Sequence, residues 1–352
     1  MPTVRPRACS RASLINYFES GDRMRHSCIY TTLIPTLLAA TSAALSPGSL
    51  AQTYPAKAIR LIVPFSAGGG ADIVARAIAQ KLGVALAQQV VVDNRTGAAA
   101  IIGTELAAKS APDGYTLILG QTGPNSINPS LYERLPYDAL KDFAPITLAT
   151  TYPYVMVVHP SIPAKTVKEL IALAKSRPNE LSFASAGNGA ANHLAGELFK
   201  SMAGIQMVHV PYKASAPALI DVLGGHVSMM LDPVITAMPH VKIGKLRALG
   251  ITSLKRTAVA SELPTFAETG LPGFDAIGWH GILAPAGTPR EILMRLNSEI
   301  VNVLRDPDIR ARFAEQGAEP VGNTPEQFLE FLKSDLAKWA KVIKAAGVRA
   351  SM

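Results

Sequence analysis

Two short stretches carry the residue types that could do chemistry, and in both that chemistry is anion binding. The first is Pro64-Phe65-Ser66-Ala67-Gly68-Gly69-Gly70-Ala71-Asp72. Glycines let a backbone turn tightly and approach a bound molecule closely. An apolar strand-like run, Ile59 to Val63, precedes it, and Val74, Ile78 and Leu82 follow at helical spacing. The loop therefore opens a helix, whose first N–H groups and positive dipole end suit an anion. Asp72 would repel an anion aimed at it. Its expected roles are to cap the helix or loop, or to accept a bond from a ligand amine.

The second stretch is Ser185-Ala186-Gly187-Asn188-Gly189-Ala190-Ala191-Asn192-His193. It again follows a strand-like run, Leu181 to Ala184, and precedes a helix around Leu194 to Met202. His193, near that helix start, is placed to orient the loop. Each loop alone reads as a tight turn. Two in mirrored positions read as two helix ends facing one cleft, by the rule that open α/β sheets bind ligands at strand carboxyl ends.

Catalytic patterns are missing. Phe183 stands where a nucleophile elbow around Ser185 needs glycine. There is no phosphate-loop or H-E-x-x-H motif. His159, His193, His209, His226, His240 and His280 are dispersed without metal-ligand spacing. The alternative is a nicotinamide-dependent dehydrogenase with a degenerate dinucleotide loop at Gly68 to Gly70 and Asp93 near the ribose-binding distance. Ile73 opposes it, because the third fingerprint position calls for a small residue. We expect no enzyme, cofactor or metal.

The elements that must hold these loops alternate. Val90 to Val92 and Tyr115 to Leu119 read as strands, with Thr122 just beyond the latter in the candidate set. Continuous apolar strands between helices predict a parallel sheet covered on both faces. Val208 to Val210, Val227 to Leu231 and Ala248 to Thr252 are further strands in a second unit with its own core. Three capping boxes are predicted, at Thr166 with Glu169, Thr288-Pro289 with Glu291, and Thr324-Pro325 with Gln327. The last opens a helix whose stripe, Phe328 to Ile343 through Trp339, should dock on the first domain. Residues 52–152 and 278–352 then make domain I and residues 153–277 domain II. The chain crosses twice, near Leu148 to His159 and Ile277 to Pro285, which implies a hinge and a cleft.

At the N-terminus, Arg23 and Arg25 precede an uncharged apolar run, Leu33 to Leu45, and Ser49-Leu50-Ala51 follows. This reads as a signal peptide with its cleavage site, so residues 1–51 form an extension and leader, with Met24 the expected true start. Both cysteines, Cys9 and Cys28, lie there, so the mature chain would hold none. The net charge of +8 is spread without a basic stripe, which predicts no nucleic-acid partner.

Further residues carry a resemblance. They include Val63-Pro64-Phe65 with its glycines and Asp72, Asp93-Asn94-Arg95, Ala111-Pro112-Asp113-Gly114-Tyr115-Thr116 and Ile127-Asn128-Pro129. Asp142 to Ile146, Gly187-Asn188-Gly189, His193-Leu194, Val210-Pro211-Tyr212-Lys213, Gly278-Trp279 and Leu283 to Pro289 follow in order. The chain resembles the Bug, or TctC-like, family of periplasmic receptors for tripartite tricarboxylate transporters. The resemblance implies a two-domain α/β Venus flytrap fold, type II-like, with two interdomain crossings. It implies a monomeric periplasmic receptor whose partners are a small organic acid and transporter membrane subunits. By position it implies ligand contacts from Phe65, Ser66, Ala67, Gly68 and Gly69, from Ser185, Ala186, Gly187, Asn188 and Gly189, and from Asp232. Departures at Ala190, Thr96, Ala98 to Ala100 and Ala214 bear on which ligand is bound, not on the fold.

Overall fold

The computed structural model describes residues 54–350. The expected leader, cleavage site and both cysteines lie outside the described residues.

The chain opens with β1 (Ile59–Val63), α1 (Gly70–Ala85), β2 (Val90–Asn94), α2 (Ile101–Ala108) and β3 (Thr116–Gln121). Strands β2, β1 and β3 are parallel neighbours. A π-type turn, Gly123–Ile127, and the short α3 (Asn128–Leu131) lead into β4 (Phe143–Val158). Next come α4 (Val167–Ser176), β5 (Ser182–Ser185), α5 (Ala191–Ala203), β6 (Val208–Pro211), α6 (Ser215–Leu223), β7 (Met229–Pro233), α7 (Val234–Lys242) and β8 (Arg247–Ile251). The chain ends with β9 (Ile277–Pro285), α8 (Arg290–Arg305), α9 (Pro307–Glu315), β10 (Glu319–Pro320) and α10 (Pro325–Ala346).

Strand β4 belongs to two lobes. Its residues Phe143 to Pro153 pair antiparallel with β9, which also pairs with β3. From Tyr154 to Val158 it pairs with β7 and β8 instead. The strand order is β2-β1-β3-β9-β4-β7-β5-β6. The sheet is thus mixed rather than wholly parallel, because the two crossing strands enter against the direction of their neighbours.

Alternation sorts each strand between two cores, as a period of two requires. Leu61, Val63, Leu117 and Leu119 face α1 and α8, where Val74, Ile78, Leu296 and Ile300 are buried. Ile62, Ile118 and Leu283 face the opposite side with Trp279 and Phe328. In the second lobe Met156, Val158 and Leu231 pack with Phe183 and Phe199, while Val155, Val157 and Met230 pack with α6 and α7 residues.

Two expectations change. Thr324 and Gln327 form a complete capping box, but Thr288 does not cap α8. Its buried hydroxyl donates to Pro285 O at 2.8 Å, closing the turn before the helix. The Thr166 side chain accepts from Glu169 N, while Glu169 reaches back to Lys165 N rather than Thr166 N. Helix α10 also does more than dock on the first domain. Phe328 and Leu332 enter the first-lobe core, but Trp339, Val342 and Ile343 enter the second-lobe core. A helix of 22 residues is long enough to reach both. Trp279 Nε1 donates to Asp335 Oδ2 at 2.8 Å, and Lys338 pairs with Asp335 and Asp275.

Candidate functional site

The first glycine loop is built around Asp72, which is buried inside the first turn of α1. Its Oδ2 accepts from Gly68 N and Arg76 Nε, both at 2.8 Å. Its Oδ1 accepts from Asn94 Nδ2 at 2.9 Å, and the same amide donates to Phe65 O. Burial alone would raise its pKa. Hydrogen bonds from Arg76, Gly68 and Asn94 outweigh that and hold the carboxyl below its ordinary value. Asp72 is therefore spent on the loop, and its charge is met by Arg76. Gly68 takes φ +79°, the left-handed region that favours glycine, whereas Gly69 takes an ordinary −79°. Gly69 has no side chain with which to cap α1, so the N–H groups of Gly70 and Ala71 have no acceptor within the helix.

Those groups edge a cavity of about 360 Å³. Phe65, Ser66, Gly69, Gly70, Ala71 and Val74 supply one side. The start of α7 supplies the facing side, through Pro233, Ile235 and Thr236. Gln121, Tyr152, His280, Gln316 and Ala318 complete it. Two helix N-termini thus meet here, one from each lobe. Gly317, beside the cavity at φ +65°, brings the lobes close, since a Cβ there would lie 3.2 Å from Ile235 N.

The two titratable groups of the wall are neutral. Burial lowers the His280 pKa to about 3 and raises that of Tyr152 to about 12. The two rings lie 5.2 Å apart, and Thr150 Oγ1 is 2.8 Å from His280 Nδ1. That leaves Nε2 as the ring nitrogen free to face the cavity. No Lys or Arg lines the wall, and most of its surface is carbon.

The remaining expected residues lie around this cavity or apart from it. Ala67 and Gly68 are exposed on the outer part of the loop. Thr122 is buried, its hydroxyl accepting from Trp279 N at 3.1 Å, and Gln121 lines the cavity instead. Asp232 is fully buried just before α7; Oδ2 accepts from Thr236 Oγ1 and Oδ1 has no partner. Burial raises its pKa to about 6.

The loop from Ser185 to Gly189 is not part of this wall. Ser185 Oγ is 2.6 Å from His209 Nε2 and also accepts from Gly187 N. Ala186 N donates to Asn192 Oδ1, and Asn188 is exposed. Gly189 N donates to His193 Nδ1 at 3.0 Å, and a Cβ on Gly189 would run into Leu131. The His193 and His209 rings stack at 3.7 Å. Burial, then the neighbouring His209 and Lys200, lower His193 to about 3; burial and Lys200 lower His209 to about 4.

Sequence reasoning missed Gln121, Tyr152, Ile235, Thr236, His280 and Gln316 as cavity residues. His280 directly follows the Gly278-Trp279 motif and Gln121 directly precedes Thr122; the others carry no local signal. The ribose-type acid Asp93 is engaged by Arg60 and Arg95 in the structure. Among the described residues, no group of three or more His, Cys, Asp or Glu could hold a metal, and no helix is long and apolar enough to cross a membrane.

A model of the tripartite tricarboxylate transporter family receptor matches residues 74–348. Protein BugT of Bordetella pertussis is 40% identical over 311 residues, covering 88% of this chain and 95% of that protein. The structure of R. palustris Rpa4515 with adipate is similar at 37% identity and TM-score 0.74, covering 85% of this chain and all (100%) of that one. MatC from Rhodopseudomonas palustris with bound malate is similar at 31% identity and TM-score 0.69, covering 82% and 100%. The shared fold is that of two-domain α/β periplasmic binding proteins.

Proposed function

This chain belongs to the tripartite tricarboxylate transporter family of receptors, and from that premise we propose that it captures a small organic carboxylate between its lobes and delivers it to membrane subunits of such a transporter. The carrying observation is the interlobe cavity where α1 and α7 begin. Unpaired helical N–H groups and two dipole ends can receive a carboxylate without a cation. Adipate and malate in the two related structures support an acid as ligand.

In this reading the protein works in the periplasm after removal of residues 1–51 and catalyses nothing. The Ser185–His209 pair has the spacing of a nucleophile with its base. Ser185 is fully buried and outside the cavity wall, where a substrate carbonyl would have no access. Lobe boundaries near Pro153 and Ile277, where β4 changes partners and β9 begins, would carry the closing motion.

Calorimetric titration of residues 52–352 with a panel of small mono- and dicarboxylates tests the reading. Saturable binding of at least one of these acids, weakened by Gly69→Leu, is expected. Unchanged binding in Gly69→Leu would place the ligand elsewhere.

A further inference from the structure

Resting on the carboxylate reading above, we infer that the cleft selects an acid charged at one end only, a monocarboxylate with an apolar body, and that Asp232 excludes a second carboxylate. The two poles of the cavity differ in charge balance. At the α1 pole the nearby acid, Asp72, is bonded to Arg76, Gly68 N and Asn94, so the helix end keeps its positive character toward a ligand. At the α7 pole Asp232 stands directly before Pro233 and is bonded to Thr236, both wall residues. No cation pairs with it among the described residues, and one of its oxygens has no partner. A carboxylate set at a helix N-terminus cancels the field that would attract an external anion there.

The wall between the poles points the same way. Phe65, Val74, Pro233, Ile235 and Ala318 offer carbon, and Tyr152 and His280 carry no charge. A second carboxylate brought to the α7 pole would lose water, meet no cation and face a like charge. An apolar or merely polar end loses nothing comparable: the neutral His280 can hydrogen-bond a hydroxyl or carbonyl, and the Thr236 oxygen, whose proton goes to Asp232, can accept from a hydroxyl.

Matched pairs that differ by one terminal carboxylate test this directly. Hexanoate against adipate, and benzoate against terephthalate, are titrated by calorimetry into the wild-type protein and into Asp232→Asn. The expected result is a preference of about tenfold or more for the monoacid in the wild type, reduced severalfold in Asp232→Asn. Equal or tighter binding of adipate and terephthalate by the wild type overturns the inference while leaving a carboxylate receptor. A preference unchanged in Asp232→Asn also overturns it, because the discrimination then comes from elsewhere. If none of the four acids binds, the carboxylate reading itself fails, and the inference with it.

Discussion

At the scale of single residues, the first loop separates positions that shape the backbone from positions that face the cavity. Gly69 has an ordinary φ, and a Cβ there would meet only Ser66 O at 3.5 Å. The strain that a left-handed conformation imposes falls on Gly68. Gly69→Leu should therefore fold with an unchanged melting temperature and lose about tenfold or more in acid affinity, the equivalent of one charge-assisted hydrogen bond. Gly68→Ala should cost about 1 kcal/mol of stability in chemical denaturation. Asp232 and His193 give opposite pH signatures. The Asp232 carboxyl is raised to about 6 in the fold, so stability present at low pH is lost as pH rises from the unfolded value through 6. Asp232→Asn should thus stabilise by about 2–3 kcal/mol at pH 7 and by almost nothing below pH 4. His193 is lowered to about 3, so its contribution is complete above the unfolded value and is lost as pH falls toward 3. His193→Asn keeps an acceptor near the Nδ1 position for Gly189 N. Its stability relative to wild type should improve by about 2 kcal/mol between pH 7 and pH 5. Equal pH slopes for wild type and variant in urea titrations would contradict this.

At the scale of elements, the strands and helices were legible because their apolar periods were strong. Ile59 to Val63 and the Val74, Ile78, Leu82 stripe became β1 and α1 as read. The site was legible only where a glycine-rich loop advertised itself. Tyr152 and His280 sit within long apolar strands, and their exposure to the cavity depends on strand register and lobe placement, which no local spacing encodes. Ile235 and Thr236 enter through the start of α7, which lacks a glycine loop and a side-chain cap. Capping illustrates the same limit. Thr324 and Thr288 both precede proline, yet only Thr324 caps, because the Thr288 hydroxyl is taken by a carbonyl in its own turn. Thr324→Ala should accordingly cost about 1 kcal/mol through loss of the α10 cap. Trp339→Ala removes a fully buried ring from the second-lobe core, and should cost about 3–5 kcal/mol by thermal or chemical unfolding.

At the scale of the whole molecule, β4 and the approach of α10 to both cores define how the lobes can move. In the proposed reading, closure on a ligand bends β4 where it changes partners, near Pro153, while α10 keeps its place in each core. Small-angle scattering should show a small decrease in the radius of gyration on adding a bound acid. An unchanged value at saturation would mean that the lobes are already closed. The share of α10 in both cores has a further consequence. A chain cut before residue 325 deprives the first lobe of Phe328 and Leu332 and the second of Trp339, Val342 and Ile343. Both lobes lose core at once, so such a shortened polypeptide should fail as a whole rather than lobe by lobe, and limited proteolysis should leave no stable fragment.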